Sequence, residues 1–497
     1  MHPLKLQVHI FYNDILKTSK SDLKKQKRDM MNNSSVNAKA LYFISAVVAI
    51  GGFLFGYDTG VIGGTQLYFT EYFELSSGQQ GWAVSSALYG SLMGAAIAGF
   101  LSSKYSRKHT LIVSALLFVV SAWGSGISES LTQLSIYRII GGLGVGIASM
   151  TAPMYIAEIS PAKRRGQMVS LYQLAIVLGF FIVFLATYFI GGNTAHELSA
   201  DIHTYNVEQG WRSMFWSELI PAITFFIALF FIPHSPRWLF LKSRTEEAKQ
   251  VLFKIINDEK IVQQEYDEIE QSILNHPGKP KFSHLFQGGM TLILIIGMSL
   301  AVLQQVTGIN AILYYGAEIF SNALGYGPED ALQQQLWLGT VNLIFTFVAI
   351  FTVDRWGRKP LLLVGSVGMF LGLSILGLSI YTQQLGVVSL LAMLLFIGSF
   401  ALSMGPVVWV LLSEIFPNAI RSLAMSIAVG AMWLFNAIVA NSFPVINRSE
   451  INTELFNGAL PYFVFASLCI VTFIFVWKYV PETKGKSLEE IEQGITG

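Results

Sequence analysis

LQQVTGINAILYY, residues 303–315, places two adjacent glutamines and an asparagine inside an apolar run that begins near Met290. A carboxamide in hydrocarbon is costly unless another group hydrogen-bonds it. The side chains of Gln304, Gln305 and Asn310 are therefore expected to face protein, water or a polar ligand. Amides that only join neighbouring helices are one interpretation. A cluster of neutral donors and acceptors favours the other, a polyhydroxyl ligand.

The helical positions of these residues predict a break in the segment. On an ideal helix of about 100° per residue, Gln304, Gln305 and Tyr315 share a face, whereas Asn310 and Tyr314 point away from it. Unwinding at Gly308 would turn all of them toward one cavity, as in the discontinuous helices of transporters.

The composition excludes an ordinary soluble protein, since 53% of the 497 residues are hydrophobic and 13% are charged. Apolar runs recur at lengths near the roughly 20 residues that span a bilayer. Twelve are predicted, with approximate cores at residues 41–64, 82–102, 110–128, 131–158, 166–192, 212–233, 290–320, 336–353, 360–382, 387–414, 421–444 and 460–480. We therefore expect an all-α membrane protein with twelve transmembrane helices.

The connections between these spans alternate in charge. Residues 65–80, 191–210 and 316–335 contain no Lys or Arg, and 445–459 contains Arg448 alone. The alternate connections are basic, with clusters at residues 104–108, 163–165 and 355–359. By the positive-inside rule, the basic connections and both termini lie in the cytoplasm, which predicts a multi-pass protein of the cytoplasmic or plasma membrane. The formal net charge of +1 hides this asymmetry and does not indicate nucleic-acid binding. The single cysteine, Cys469, excludes an intramolecular disulfide and is expected to face lipid or to pack.

Three ionisable residues lie within apolar spans. Asp58 in the first span costs about 2.5–3.5 kcal/mol to insert, and such residues are usually functional or paired. Arg138 in span four and Glu218 in span six are expected at the same depth, about 10 Å below the outer surface. One cation between two carboxylates predicts a proton-coupling site, in which protonation of Asp58 releases Arg138. A static ion pair that holds the helices together is the alternative.

The chain repeats itself. EISPAKRR at 158–165 and EIFPNAIR at 414–421 share a Glu-x6-Arg spacing, and PHSPR at 233–237 resembles PETK at 481–484. Two homologous six-helix halves explain the pattern. The predicted units are a basic cytosolic tail (1–40), the first half (41–233), a short intracellular helical linker domain (234–289), the second half (290–480) and a cytosolic tail (481–497).

Charged residues at the predicted cytoplasmic helix ends suggest a latch that can break and reform. Their alternative role is only to set the topology. The predicted latch consists of Glu158, Arg165, Arg107, Glu414, Arg421, Asp354, Arg355 and Arg358.

Further polar and aromatic residues within the spans complete a candidate sugar pocket. Tryptophan rings suit the apolar C–H faces of a sugar while amides bind its hydroxyl groups, although a lone tryptophan is more often packing or an interface anchor. A Gly405-Pro406 pair is expected to break span ten. The additional candidates are Phe55, Gln173, Asn342, Trp409, Trp433 and Asn436.

These motifs resemble the sugar porter family of the major facilitator superfamily from about Leu41 to Glu490. The resemblance rests on GYD at 56–58, RIIGG at 138–142, QQ…N…YY at 304–315, DRWGRK at 354–359, GP…W at 405–409 and PETKG at 481–485. The stretch 409–421 is especially similar to bacterial proton-coupled sugar symporters. The resemblance implies the major facilitator fold.

The resemblance also implies roles for individual residues. Asp58 and Arg138 would couple a proton; passive facilitators of the family typically have a neutral residue where Asp58 stands. The remaining implied roles are sugar contacts by Gln173, Gln304, Gln305, Asn310 and Trp409, and an outer gate formed by Tyr314 and Tyr315.

Several positions depart from the family pattern. Ser103 and Ser106 replace an acidic residue and a glycine of the first-half signature, which predicts a looser latch in that half. His234 replaces a glutamate, which predicts a pH-sensitive contact. Phe180 and Met432 stand where xylose symporters carry glutamines, which leaves a hexose as plausible as a pentose.

The predicted function is import of a monosaccharide, a hexose such as glucose or a pentose such as xylose, by proton symport through alternating access. A passive uniporter and, from another class, a non-transporting sugar receptor are the alternatives. An enzyme is not expected, because no nucleophile–base pair, metal-ligand cluster or phosphate loop is visible. The expected partners are sugar, protons and the bilayer, with the chain acting as a monomer without a metal or cofactor and driven by the proton gradient.

Overall fold

The computed structural model describes residues 37–161, 164–194, 201–274, 285, 289–323, 327–416 and 421–484. Most of the predicted N-terminal tail and the C-terminal tail beyond residue 484 therefore lie outside the described residues. The side chains of two predicted latch residues, Asp354 and Arg421, also lie outside them.

Within the described residues, twelve helical segments are long and apolar enough to cross a membrane. Spans 1–6 are Ala38–Tyr72, Ser77–Tyr105, Arg107–Gly126, Leu131–Ile159, Arg165–Gly192 and Ile202–Phe231. Spans 7–12 are Met290–Tyr314, Asp330–Val353, Arg358–Tyr381, Val387–Ile415, Leu423–Asn447 and Leu460–Tyr479. The twelve predicted spans are confirmed, although span 1 continues to Tyr72 and span 6 begins about ten residues before the predicted core.

Three spans are interrupted. Span 7 divides into Met290–Val306 and Ile309–Tyr314, with Gly308 between them at a φ of +89°. A Cβ at Gly308 would lie 2.4 Å from the ring of Phe465, so there is no room for a side chain at this position. Glycine also adopts the positive φ without strain. The predicted unwinding is present.

Span 10 divides into Val387–Leu402 and Met404–Ile415, at Ser403 rather than at the predicted Gly405-Pro406 pair. A proline is tolerated in the first turn of a helix, and Pro406 lies in the first turn of the second segment. Span 6 is built from Ile202–Tyr205, a π-turn at Asn206–Gly210, Trp211–Trp216, Leu219–Ala228 and a 3₁₀ turn at Leu229–Phe231.

A helical linker follows span 6 and comprises Pro236–Leu241, Thr245–Ile255 and Glu259–Leu274. The middle helix buries Ala248, Val251, Leu252 and Ile255, a spacing that keeps one face apolar. The backbone N–H of Asn37 donates to the carbonyl of Ile255 at 2.8 Å, which ties the start of span 1 to the linker. Span 5 ends in a π-turn at Phe189–Thr194. Shorter elements follow spans 7 and 11 and are Gly316–Glu318, Ile319–Ala323 and Glu450–Phe456.

The bundle has two distinguishable ends. The basic end carries the linker and the connections at residues 104–108, 164–165 and 355–359. The far end carries the connection between spans 1 and 2 at residues 73–76. Cys469 is fully buried, which favours packing over lipid exposure.

Candidate functional site

An ion pair lies in the interior of the first half. Arg138 Nη1 donates to Asp58 Oδ1 at 2.8 Å, and Nη2 donates to the backbone carbonyl of Asp58 at 3.1 Å. The guanidinium also lies 5.6 Å from the centre of the Phe215 ring. Asp58 is 0% exposed and Arg138 is 1% exposed. Spans 1, 4 and 6 thus meet at one charge pair shielded from solvent.

Glu218 is fully buried on span 6, but it does not complete the predicted three-residue bridge. Neither of its carboxylate oxygens has a hydrogen-bond partner within the described part of the chain. Its neighbour Ser217 does reach span 1, since its Oγ lies 2.7 Å from the Tyr57 hydroxyl. Of the two acids, Arg138 therefore forms hydrogen bonds with Asp58 only, and Glu218 is a second buried acid nearby.

The amides of span 7 form a chain of hydrogen bonds across the Gly308 break. Asn310 Nδ2 donates to Gln305 Oε1 at 2.6 Å, and Gln305 Nε2 donates to Gln304 Oε1 at 3.2 Å. Gln304 Nε2 in turn donates to the carbonyl of Met404 at 2.7 Å, where span 10 restarts. The two broken spans therefore satisfy each other's polar groups.

Aromatic side chains bring the two halves together at this level. The Phe55 ring of span 1 lies 5.3 Å from the Trp433 ring of span 11, centre to centre. Asn436, one turn after Trp433, donates to the Tyr314 hydroxyl at 3.3 Å. Trp433 Nε1 and Asn436 Oδ1 are buried without a hydrogen-bond partner among the described residues. Unsatisfied polar atoms beside an aromatic pair are the features that a polar ligand can use.

Partial exposure marks the candidate pocket. Phe55, Gln173, Asn310 and Trp409 are neither fully buried nor fully exposed, although they lie well inside spans. Gln173 and Asn342 form no hydrogen bond within the part of the chain that the structure describes, and Asn342 is 9% exposed. The structure thus brings Gln304, Gln305, Asn310, Trp433 and Asn436 together, whereas Gln173 and Asn342 stand unbonded on spans 5 and 8.

The predicted gate tyrosines are both buried at the far end of span 7. Tyr315 donates its hydroxyl to the carbonyl of Ala440 at 2.8 Å and stacks on Phe443 at 5.0 Å. Tyr314 contacts Asn436 as described. The end of span 7 therefore packs against span 11 within the second half.

At the basic end, the predicted latch forms two separate sets of contacts, one in each half. In the first half, Arg107 Nη2 donates to Glu158 Oε1 at 2.8 Å and Ser235 Oγ donates to Glu158 Oε2 at 2.6 Å. In the second half, Arg358 Nη2 donates to Glu414 Oε1 at 2.9 Å and Thr483 Oγ1 donates to Glu414 Oε2 at 2.6 Å. Each carboxylate joins helix ends within one half, and none of these bonds crosses between halves.

Two other predicted latch residues make different contacts. Arg165 is exposed, and its Nε donates to the carbonyl of Ala157 at 3.1 Å instead of to a carboxylate. Arg355 contributes its carbonyl, which accepts from Lys484 Nζ at 2.5 Å. A cavity of about 260 Å³ lies at this end and is lined by Glu158, Arg165 and Arg237 rather than by the amide cluster.

Polar contacts across the far end are absent from the sequence-based prediction. Gln80 Nε2 donates to Glu318 Oε2 at 2.7 Å, and Gln335 Nε2 donates to the carbonyl of Gly63 at 3.0 Å. Both bonds join the first half to the second. The sequence does place Gln and Glu side chains at the ends of apolar runs. Surface residues show the same placement, so it does not predict these contacts between the halves.

A bundle of twelve spans in two repeated halves, with a buried ion pair and an amide cluster inside it, is the architecture of a solute transporter of the major facilitator type. The chain belongs to the sugar transporter family, since the family model described as "Sugar (and other) transporter" matches residues 44–494. It is a transporter rather than an enzyme.

Individual relatives support this assignment. The chain is 41% identical over 486 residues to the D-xylose-proton symporter of Escherichia coli (strain K12), a match that covers 93% of this chain and 96% of the relative. It is 38% identical over 466 residues to the glucose facilitated diffusion protein of Zymomonas mobilis, covering 90% and 96%. The partially occluded inward-open structure of the xylose transporter XylE of E. coli superposes with a TM-score of 0.79 and 39% identity, covering 90% of this chain and 100% of that one.

Proposed function

We propose that this chain imports a monosaccharide by proton symport through alternating access, with Asp58 as the proton carrier. The observation that supports this proposal most strongly is the fully buried Asp58–Arg138 pair. A charge pair in the membrane interior is rarely retained without a function. The E. coli relative is named as a proton symporter, which agrees with that interpretation.

Protonation of Asp58 removes only one of the contacts of Arg138. The bond to the backbone carbonyl of Asp58 and the Phe215 ring do not depend on the charge of the carboxyl group. Arg138 thus keeps partners while spans 1 and 4 lose their ionic contact. Phe55 lies one helical turn before Asp58, so a shift of span 1 moves a ring that contacts Trp433 in the other half.

We propose that the amide cluster binds the sugar. Gln304, Gln305 and Asn310 offer neutral donors and acceptors, and Trp409 and Trp433 offer rings for C–H faces. Gln173, Asn342 and Asn436 extend this set, with Tyr314 and Tyr315 as the outer gate. The substrate is a hexose such as glucose or a pentose such as xylose; competition of each against labelled glucose in reconstituted vesicles separates them.

We place the basic end and both termini in the cytoplasm, because basic connections are retained on that side. The far end then faces outward and is closed by the hydrogen bonds that join the halves. At a membrane potential of about 100 mV, each proton supplies roughly 2.3 kcal/mol, which supports about fortyfold accumulation.

Replacing Asp58 by Asn tests the coupling. The amide keeps the shape and an acceptor for Arg138 but does not titrate, so we expect proton-driven uptake into proteoliposomes to be lost while sugar exchange persists. Glu450→Gln, which removes an exposed acid at the far end, is the matched control and should accumulate sugar normally. Accumulation by Asp58→Asn at the wild-type level would exclude Asp58 as the carrier.

Facilitated diffusion is the second candidate, because the Zymomonas relative at 38% identity is named as a facilitator. In that case Asp58–Arg138 would be a structural pair. Alkalinisation of the medium on sugar addition to unbuffered vesicles distinguishes the two, since only a symporter takes up protons with the sugar.

A further inference from the structure

The far end contains a buried polar contact between the halves that involves none of the proton or sugar residues. Gln80 at the start of span 2 donates its Nε2 to Glu318 Oε2 at 2.7 Å and to Gln66 Oε1 at 2.5 Å. Gln66, Gln80 and Glu318 are at most 2% exposed. Gln66 and Gln80 belong to the first half, whereas Glu318 follows the broken span 7 in the second.

The Glu318 carboxylate has one donor from each half. Its Oε1 accepts from Arg448 Nη2 at 2.9 Å, and Arg448 follows span 11 in the same half. Its Oε2 accepts from Gln80 in the other half. Separation of the halves at the far end therefore breaks the second bond and leaves the first in place. Glu318 would keep a cationic partner while its freed oxygen meets water.

Close contacts also join the halves at Gly63, one helical turn before Gln66 on span 1. A Cβ at Gly63 would lie 2.8 Å from the carbonyl of Leu313, so span 1 and the second segment of span 7 touch directly. Gln335 bridges the same place by donating to the Gly63 carbonyl at 3.0 Å. The Gln80–Glu318 bond is thus part of a buried seam that links the halves at the far end.

We propose that Gln66, Gln80 and Glu318 form a far-end latch that positions the two halves and sets how readily this transporter opens to the outside. Arg448 bonds Glu318 within the second half and is not part of the contact between the halves. This inference rests on the proposed alternating access and assigns residues to one of its steps. The charged acceptor makes the bond stronger than one between neutral groups.

The latch is also built to open. Gln66 Nε2 and Gln80 Oε1 are buried without hydrogen-bond partners among the described residues. Opening hydrates both atoms, which offsets part of the loss of the Gln80–Glu318 bond. An apolar seam would gain no such compensation from water. The arrangement therefore favours a closed far end without preventing the two halves from separating there.

The test measures the distance between the halves directly. Cys469→Ser removes the single cysteine, and Gly78→Cys with Glu450→Cys places one spin label on span 2 and the other on the short helix after span 11, both at the far end. A Cβ at Gly78 meets nothing within 4 Å, so the label is tolerated there. Pulsed electron spin resonance in nanodiscs, without sugar or a proton gradient, gives the ratio of open to closed molecules.

Gln80→Met keeps the length of the side chain and removes its donor, and we expect the open-to-closed ratio to rise about tenfold. Glu318→Gln offers a neutral acceptor and should give a smaller rise, which keeps the test valid if Gln80→Met does not fold. Arg448→Gln is the matched control, because it removes the donor that reaches Glu318 from within the second half. The open-to-closed ratio of this variant should stay near that of the wild type.

Two results would overturn the latch. One is an unchanged distance distribution in both Gln80→Met and Glu318→Gln. The other is an equal opening by Arg448→Gln, which would show that the bond between the halves has no special role. Because the readout uses neither sugar nor protons, it is independent of the Asp58→Asn experiment, and failure of symport would leave these distances unaffected.

Discussion

Arg138 is held by three contacts, of which only one depends on the charge of Asp58. Two buried charges are expensive to desolvate, and removing one partner is worse than removing both, because a lone buried charge remains. The same logic applies to Glu218, which is buried without a described hydrogen-bond partner. At the scale of single residues, the site therefore contains one acid that is ion-paired through a single oxygen and a second acid with no described hydrogen bond.

A double-mutant cycle tests this balance. We expect Arg138→Met to destabilise the protein by about 3–5 kcal/mol, since Asp58 is left buried and unpaired. The double variant Asp58→Asn/Arg138→Met should regain part of this loss. Thermal unfolding in detergent measures both.

The exposed pair Arg244–Glu247 of the linker is the control, and Arg244→Met should change the melting temperature little. If Arg138→Met unfolds at the same temperature as the wild type, the pair is not the buried charge centre described above.

The basic ends of spans 3 and 9 show the repeat at the scale of elements. Glu482 accepts from the backbone N–H groups of Arg358 and Lys359 at 3.1 and 3.0 Å at the start of span 9. Burial would raise the pKa of Glu482, but backbone hydrogen bonds outweigh it and lower that pKa. At the start of span 3, His234 takes the equivalent place, with its Nδ1 3.1 Å from Ser106 Oγ. An imidazole thus replaces the carboxylate that complements a helix N-terminus.

This replacement predicts a pH effect. The pKa of His234 is lowered to about 4, mainly by burial. The neighbouring charges of His109, Lys108 and Arg244 add to this shift, and the charge of Glu247 opposes it. The ordinary value is 6.5, so the unfolded chain binds the proton more tightly. The contribution of His234 to stability is complete above pH 6.5 and is lost as the pH falls toward 4.

We expect the melting temperature of the wild type to fall more between pH 7 and 4.5 than that of His234→Gln, which does not titrate. Parallel curves for wild type and His234→Gln would contradict the assignment.

For the whole molecule, the direction of access follows from which contacts join the halves. The described hydrogen bonds between halves lie at the far end, as Gln80–Glu318 and Gln335–Gly63 show. The charge pairs at the basic end stay within a half. The two halves are thus held together on one side and can separate on the other, which is the geometry of a transporter open toward the basic end.

Thiol labelling of the pocket tests this arrangement. With Cys469→Ser as the background, Gln173→Cys should react with a membrane-impermeant maleimide about tenfold faster in inside-out than in right-side-out vesicles, because the populated state opens at the basic end. Saturating sugar should slow the reaction.

Gly78→Cys, at the far end, should show the opposite sidedness and controls for vesicle orientation. Equal labelling of Gln173→Cys from both sides would contradict both the closed far end and the proposed orientation.

The sequence alone determined the features that depend on neighbouring residues. Hydropathy and charge act locally, so the twelve spans, their basic connections and the break at Gly308 could be predicted from LQQVTGINAILYY and similar runs. The pairing of Asp58 with Arg138 followed from their matching depths in the membrane. The break of span 10 fell at Ser403 instead of Gly405-Pro406, because a proline in the first turn of a helix needs no break of its own.

Tertiary structure decided which distant groups meet. Gln80 and Glu318 are 238 residues apart, and their contact depends on how the two halves tilt, which no local pattern encodes. The same tilt left Glu218 without a hydrogen bond from Arg138 and kept the latch charges within their own halves. A hydrogen bond is satisfied within a few tenths of an ångström, whereas hydropathy places a residue only to within about a helical turn of 5.4 Å.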